Sequence, residues 1–124
     1  MALDHYISQV HLRRFYSPVL ENRMYAMRKS NLKRFPPKSD DVCRIEEGNT
    51  NEYLKEPRKI EDFLNSIEGK YNAAVESFER GSPTNGDVYT LAGFLAYFLT
   101  CSPAAMRINS VPLRAEVRET SKLL

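Results

Sequence analysis

Cysteine is scarce: Cys43 and Cys101 are the only two in 124 residues, and they lack CxxC spacing. Such a pair reads as reduced thiols in a cytoplasmic protein rather than a disulfide framework. Histidine is equally scarce. His5 and His11 stand six apart with no cysteine beside either, which leaves no zinc-type spacing, so no metal and no cofactor is expected. No apolar run reaches the ~18–20 residues of a membrane span. The longest, VYTLAGFLAYFLTC at 88–101, has the length of a buried helix. The opening MALDHYISQV lacks the basic lead, apolar stretch and small-residue cleavage site of a signal peptide. Nucleophile elbow, P-loop, dinucleotide fingerprint and HExxH are all missing. Neither cysteine has a base nearby in sequence, so both read as core thiols rather than nucleophiles.

What is present suits one globular domain spanning 1–124. Hydrophobic residues make up 42% and charged residues 27%, an ordinary balance for a folded chain. The net charge of +2 hides an uneven distribution. Residues 1–39 hold eight Lys and Arg against Asp4 and Glu21, whereas 40–79 hold eleven acidic groups against five basic ones. Two readings stay open. The basic third meets phosphates or an acidic partner, or it packs beside the acidic middle of its own chain.

The strongest periodicity runs from about Pro57 to Arg80. Ile60, Phe63, Leu64, Ile67, Tyr71, Ala74, Val75 and Phe78 share one helical face, predicting a single five-turn helix. Gly69 within it is expected to mark a close backbone approach. Thr84 and Asp87 are spaced as a capping box. The helix after them, from Val88 to Leu99, is apolar nearly all round, which places it in the middle of a bundle. Ser102-Pro103 ends it and caps a short helix, and Pro112 opens a last amphipathic stretch through Leu113, Val117 and Leu124. With no stop signal after that stretch, either the chain is a shortened version of a longer protein or its two terminal leucines bury against something, a homodimer contact being one choice. Residues 4–16 read as a helix, 23–35 as a hairpin turning at Lys29–Asn31, and 39–45 as a short capped helix. The expected fold is therefore α+β and mainly α. The N-terminal helix and hairpin occupy 1–55, and a small helical bundle occupies 56–124.

On the predicted first helix, His5, Gln9 and Arg13 form one stripe, each four residues from the last. Glu61 and Glu68 lie seven apart beside the apolar face of the long helix. An Arg13–Glu ion pair with His5 and Gln9 nearby is the simplest way to join the two. As a site, His5 is a general acid or base, Arg13 an anion clamp and a glutamate the partner that sets the histidine's state. As architecture, the same five residues are a polar network pinning one helix to another. The glutamates are about 10 Å apart along a helix, beyond glycosidase spacing. Separately, Arg28, Lys29, Lys33 and Arg34 give the hairpin a basic face, and Tyr6, Phe15, Tyr16 and Tyr25 interleave with Arg13, Arg14, Arg23 and Arg28 as in nucleic-acid binders.

The stretch His5-Tyr6-Ile7, Gln9, Leu12-Arg13 and Phe15 resembles the N-terminal signature of a bacterial family catalogued as domain of unknown function 4238. RMYAMRKSNLKRF (23–35) resembles the family's early strand pair, and IEDFLNSIEGKYNAAV (60–75) its Ile-Glu…Ile-Glu helix. GFLAYFLTCSPAAMR (93–107) resembles the helix that runs into a Ser/Thr-Pro and a later Arg, departing at Cys101 where relatives carry a polar or basic residue. The resemblance implies a chain like the N-terminal half of longer members, of an accessory kind found with phages and mobile elements. It suits a small non-catalytic regulatory protein that inhibits a host protein or nucleoprotein complex. The alternatives are a hydrolase or nuclease built on His5, Gln9, Arg13 and Glu61 or Glu68, and direct nucleic-acid binding.

Overall fold

A computed structural model describes residues 2–122 of the chain. The helices α2 (Lys59–Glu68), α3 (Tyr71–Glu79) and α4 (Asn85–Cys101) pack together, and α5 (Pro103–Ser121) follows them. The N-terminal segment holds the short α1 (Gln9–Leu12) and six short strands. These strands are β1 (Leu3–His5), β2 (Tyr16–Ser17), β3 (Arg23–Met24), β4 (Ala26–Met27), β5 (Arg34–Phe35) and β6 (Arg44–Glu46), paired antiparallel as β1–β6, β2–β3 and β4–β5. The fold is α+β and mainly α.

The expected face of the long helix is the one that packs: Leu64, Ile67, Tyr71 and Ala74 are buried, although Phe78 is exposed. The helix itself is not single. It breaks at Gly69–Lys70, where Lys70 N–H donates to Ile67 O at 3.0 Å in a tightened turn. Glycine is a poor helix former, and one tight turn leaves the buried stripe in phase. Nor does Gly69 face a close neighbour, since a Cβ there would meet open space. The close approach falls instead at Gly93 of α4, where a Cβ would lie 3.0 Å from both Ile67 Cδ1 and Phe63 Cζ.

Ile67, Tyr71 and Phe94 form the centre of the core, with Val10, Phe63, Val75, Leu91 and Phe98 around them. His11 belongs to this core rather than to a site. Its ring stands edge-on to Phe15, Tyr71 and Phe98, and burial holds its pKa below the usual histidine range. A neutral His11 therefore accepts at Nδ1 from the Tyr71 hydroxyl, 2.5 Å away.

Several expectations are corrected. Residues 4–16 are not one helix: β1 pairs with β6, Asp4 opposite Ile45, before α1 begins at Gln9. Residues 39–45 form a single 3₁₀ turn at Ser39–Asp41 that leads into β6. The hairpin at 23–35 is β4–β5, with Arg28 N–H donating to Lys33 O at 2.9 Å, while β3 pairs backwards with β2. The capping box stands as expected, Asp87 N–H to Thr84 Oγ1 and Thr84 N–H to Asp87 Oδ2. The helix it starts is not enclosed on every side. Thr90, Gly93, Phe94 and Tyr97 are buried, whereas Val88, Tyr89, Leu95 and Leu99 are exposed.

Pro112 does not open a new helix but lies inside α5, at a helix-interior cost of about 3 kcal/mol. Ser102 caps α5, its Oγ accepting from Ala105 N–H at 3.2 Å, and no described residue of α5 is buried. The axes of α4 and α5 meet at a bend of 47°, and no single helix is long and apolar enough to cross a membrane. The two terminal leucines lie outside the described residues.

Substitution at the two glycines separates their roles. Gly93→Val forces a branched side chain against Ile67 and Phe63 and is expected to cost about 1–3 kcal/mol. Gly69→Ala fills open space at an ordinary helical φ and is expected to gain about 0.5–1 kcal/mol. Urea midpoints of both variants against the parent check the pair of signs.

Candidate functional site

One polar pocket of about 430 Å³ lies between β1, α1 and α2. Its walls include His5, Gln9, Arg13, Glu61 and Glu68, the five residues singled out from sequence, together with Asp4 and Gly69. They meet by a different route from the one expected. His5 arrives on a strand rather than a helix, and Gln9 and Arg13 follow on α1 and the 3₁₀ turn after it. Glu61 and Glu68 sit at the two ends of α2.

The expected Arg13–Glu ion pair is not formed. Arg13 Nη2 donates to Gln9 Oε1 at 3.0 Å, the i, i+4 neighbour. The charges that do join the N-terminal segment to the helices have the opposite arrangement at the main contact. Asp4, a buried acid on β1, takes both arms of Arg58, with Nη1 to Oδ2 at 2.6 Å and Nη2 to Oδ1 at 2.8 Å. Arg14 makes a second, more exposed bridge to Glu79 at 3.2 Å.

Around Asp4 the polar groups form a closed circuit. Asn49, 1% exposed, donates its backbone N–H to Asp4 Oδ2 at 2.9 Å and its Nδ2 to Glu61 Oε2 at 2.6 Å. Its Oδ1 accepts from the Tyr97 hydroxyl at 2.6 Å, which also lies 3.2 Å from the His5 carbonyl oxygen. Arg58 Nη1 reaches Thr50 Oγ1 at 2.9 Å. Burial pushes Tyr97 up to about 12, so the phenol keeps the proton it donates. The Arg58 guanidinium, hydrogen-bonded to Asp4, holds that carboxyl below the usual range. The tight Asn49 turn follows Gly48, where a Cβ would fall 2.6 Å from Ile45 Cγ1.

A second circuit closes the other side. Ser39, 2% exposed, donates through Oγ to Gln9 Oε1 at 3.1 Å, and Tyr16 donates its hydroxyl to Ser39 Oγ at 3.0 Å. His5 Nε2–H donates to the Ser39 carbonyl oxygen at 3.2 Å, which leaves Nδ1 without a partner among the described residues. Ser8 hydrogen-bonds Glu68. Among the described residues every buried polar side-chain atom has a partner. No three His, Cys, Asp or Glu side chains there come together as a metal-ligand set. Burial raises the Cys43 thiol above its ordinary value, keeping it protonated.

Sequence reasoning missed Asp4, Asn49, Arg58 and Tyr97. Asp4 and Asn49 come from segments without periodicity, 45 residues apart. Tyr97 alone carried a signal, because a phenol in an apolar helix needs a hydrogen-bond partner. The basic candidates Arg28, Lys29, Lys33 and Arg34 lie elsewhere, exposed on and around the β4–β5 turn.

The lowered Asp4 carboxyl sets the sign of one pH dependence. Its stabilisation is complete above the unfolded value of about 3.9 and is lost as pH falls through the lower folded value. Asp4→Asn is expected to flatten the acid limb of thermal stability below pH about 4. Arg58→Ala is expected to cost about 3 kcal/mol at neutral pH by leaving a buried carboxylate uncompensated. Melting curves across pH for parent and both variants check this.

The family model described as "Protein of unknown function (DUF4238)" matches residues 4–122. No curated protein and no solved structure matches the chain. With all but its outermost residues matched, the chain belongs to the DUF4238 family of proteins of unknown function.

Proposed function

We propose that this chain is a small non-catalytic interaction module, regulatory or inhibitory, that docks its basic hairpin onto an acidic host protein or nucleoprotein complex. The observation that carries this reading is the condition of the hairpin's charges. Arg28, Lys29, Lys33 and Arg34 are exposed, and none has an ion-pair partner among the described residues. The acidic middle of the chain therefore leaves this cluster uncompensated. Apolar side chains stand with it: Tyr25 is 72% exposed and Leu32 68%. An adjoining groove of about 420 Å³ is lined by Leu20, Tyr25, Met27, Arg34 and Phe35. Aromatic and arginine side chains at one patch are what interface hot spots are made of, and the surrounding charge steers encounter. Leu32, in the β4–β5 turn, sits at φ +56°, in the left-handed region.

The pocket supports a second reading, because five chemically competent residues converge on it. In that reading His5, with Nδ1 unpartnered among the described residues, acts as general base in a hydrolase acting on nucleotides or nucleic acid. His5→Ala then keeps the fold and loses all hydrolysis; an activity that survives in a folded variant removes this reading.

For the interaction module, a partner recovered by affinity capture is purified and its binding measured by calorimetry. The Lys29→Glu/Lys33→Glu chain is expected to bind it about tenfold or more weakly, and Tyr25→Ser likewise, with unchanged melting temperatures because all three side chains are exposed. Undiminished binding by both variants contradicts the assignment. Duplex DNA serves as the comparison: affinity falling by orders of magnitude between low and moderate salt identifies nucleic acid as the partner instead.

A further inference from the structure

Surface area poses a question that neither the pocket nor the hairpin answers. A folded monomer of 14.3 kDa exposes about 6,800 Å² by the size scaling of small proteins. This chain exposes 9,421 Å², an excess of about 2,600 Å². Apolar side chains on the outer face of α4 and along α5 contribute to it. Val88, Leu95, Leu99, Met106, Leu113 and Val117 are all exposed there, and no described residue of α5 is buried.

The pattern of these residues is regular. In α4, Val88, Ala92, Leu95 and Leu99 follow one another at steps of four, three and four residues. Beyond the 47° bend at Ser102, residues Met106, Asn109 and Leu113 of α5 follow at steps of three and four. A seven-residue repeat is the seam of paired helices, narrower than the stripe a helix turns toward a globular core. Within α5, Asn109 stands between Met106 and Leu113 in this spacing, where a polar side chain fixes register and strand number. Between Val88 and Met106 there is no Lys, Arg, Asp or Glu, so two such faces meet without repulsion. Helix α5 also needs support. It carries Pro112 in its interior, and a helix without tertiary packing is marginal in water.

We infer that two copies of this chain pair through the α4–α5 seam about a two-fold axis. A second copy presents the same repeat and the same uncharged stretch, so one patch is its own complement. The excess area is about three times the roughly 800 Å² per partner of a standard interface, so it has room for one. The pairing leaves the β4–β5 hairpin outside the seam, and so does not depend on what that hairpin binds.

Sedimentation equilibrium of the full chain over a dilution series tests the pairing. The expected mass is twice 14.3 kDa. The double variant Leu99→Glu/Leu113→Glu is expected to sediment at half that mass, with weaker helical ellipticity and an intact near-ultraviolet aromatic signal, since neither leucine is buried. The milder Leu99→Gln/Leu113→Gln pair should weaken association in the same direction. Ile108→Glu, exposed on the opposite side of α5, should leave the dimer in place. A parent chain that stays monomeric overturns the inference, including one that instead cosediments with phosphatidylcholine vesicles or holds only a different protein. A dimer indifferent to both seam variants, or an assembly larger than two, overturns it as well.

Discussion

The arrangement depends on one buried charge being answered. Asp4 sits on a three-residue strand with its carboxylate out of water, and such a group persists only when paired and hydrogen-bonded. Arg58 at the start of α2 supplies two arms, and the backbone of Asn49 supplies a third donor. Asn49 then carries the restraint onward to Glu61 on α2 and Tyr97 on α4. Four stretches, β1, the Asn49 turn, α2 and α4, are thus held at one point. The strand pair β1–β6 is too short to be stable in isolation, so its position against the helices is set by this junction.

From that junction the pocket follows. With β1 fixed, His5 comes to the wall opposite Glu61 and Glu68, and the Ser39 circuit holds Gln9 and Arg13 beside it. Inside, every buried polar side-chain atom is satisfied among the described residues, which makes for a single well-defined arrangement. Outside, the molecule is incomplete in two places of different chemistry. The hairpin carries uncompensated positive charge beside an apolar groove, and the α4–α5 face carries apolar side chains with no charged residue between Val88 and Met106. These two surfaces are the ones on which the proposed associations rest.

The legible parts of the fold were those whose signal is local. Thr84 and Asp87 announce their cap within four residues, and the apolar face from Ile60 to Val75 repeats often enough to survive a break at Gly69. The β4–β5 hairpin is marked by its own turn. What was hidden is non-local. Strand β1 reads as the start of a helix because its partner β6 lies forty residues away, and three residues show no alternation. The apolar helix α4 suggests enclosure because composition counts residues on all sides, whereas only Thr90, Gly93, Phe94 and Tyr97 are buried. At the pocket, residue types were legible and their partners were not. His5, Gln9, Arg13, Glu61 and Glu68 do converge, yet the ion pair that assembles them is Asp4–Arg58 and not Arg13 with a glutamate.

Native-state hydrogen exchange on Asn49→Ala tests the junction most directly. The amides of Tyr6 and Glu47 are bonded to Cys43 and Ala2 across the β1–β6 pair and report on that strand pair alone. If Asn49 ties the N-terminal segment to the helices, these two amides lose protection in the variant while those of α3 and α4 keep theirs. Equal protection in parent and variant would mean that the segment is held by something else, and the junction would lose its place in the account.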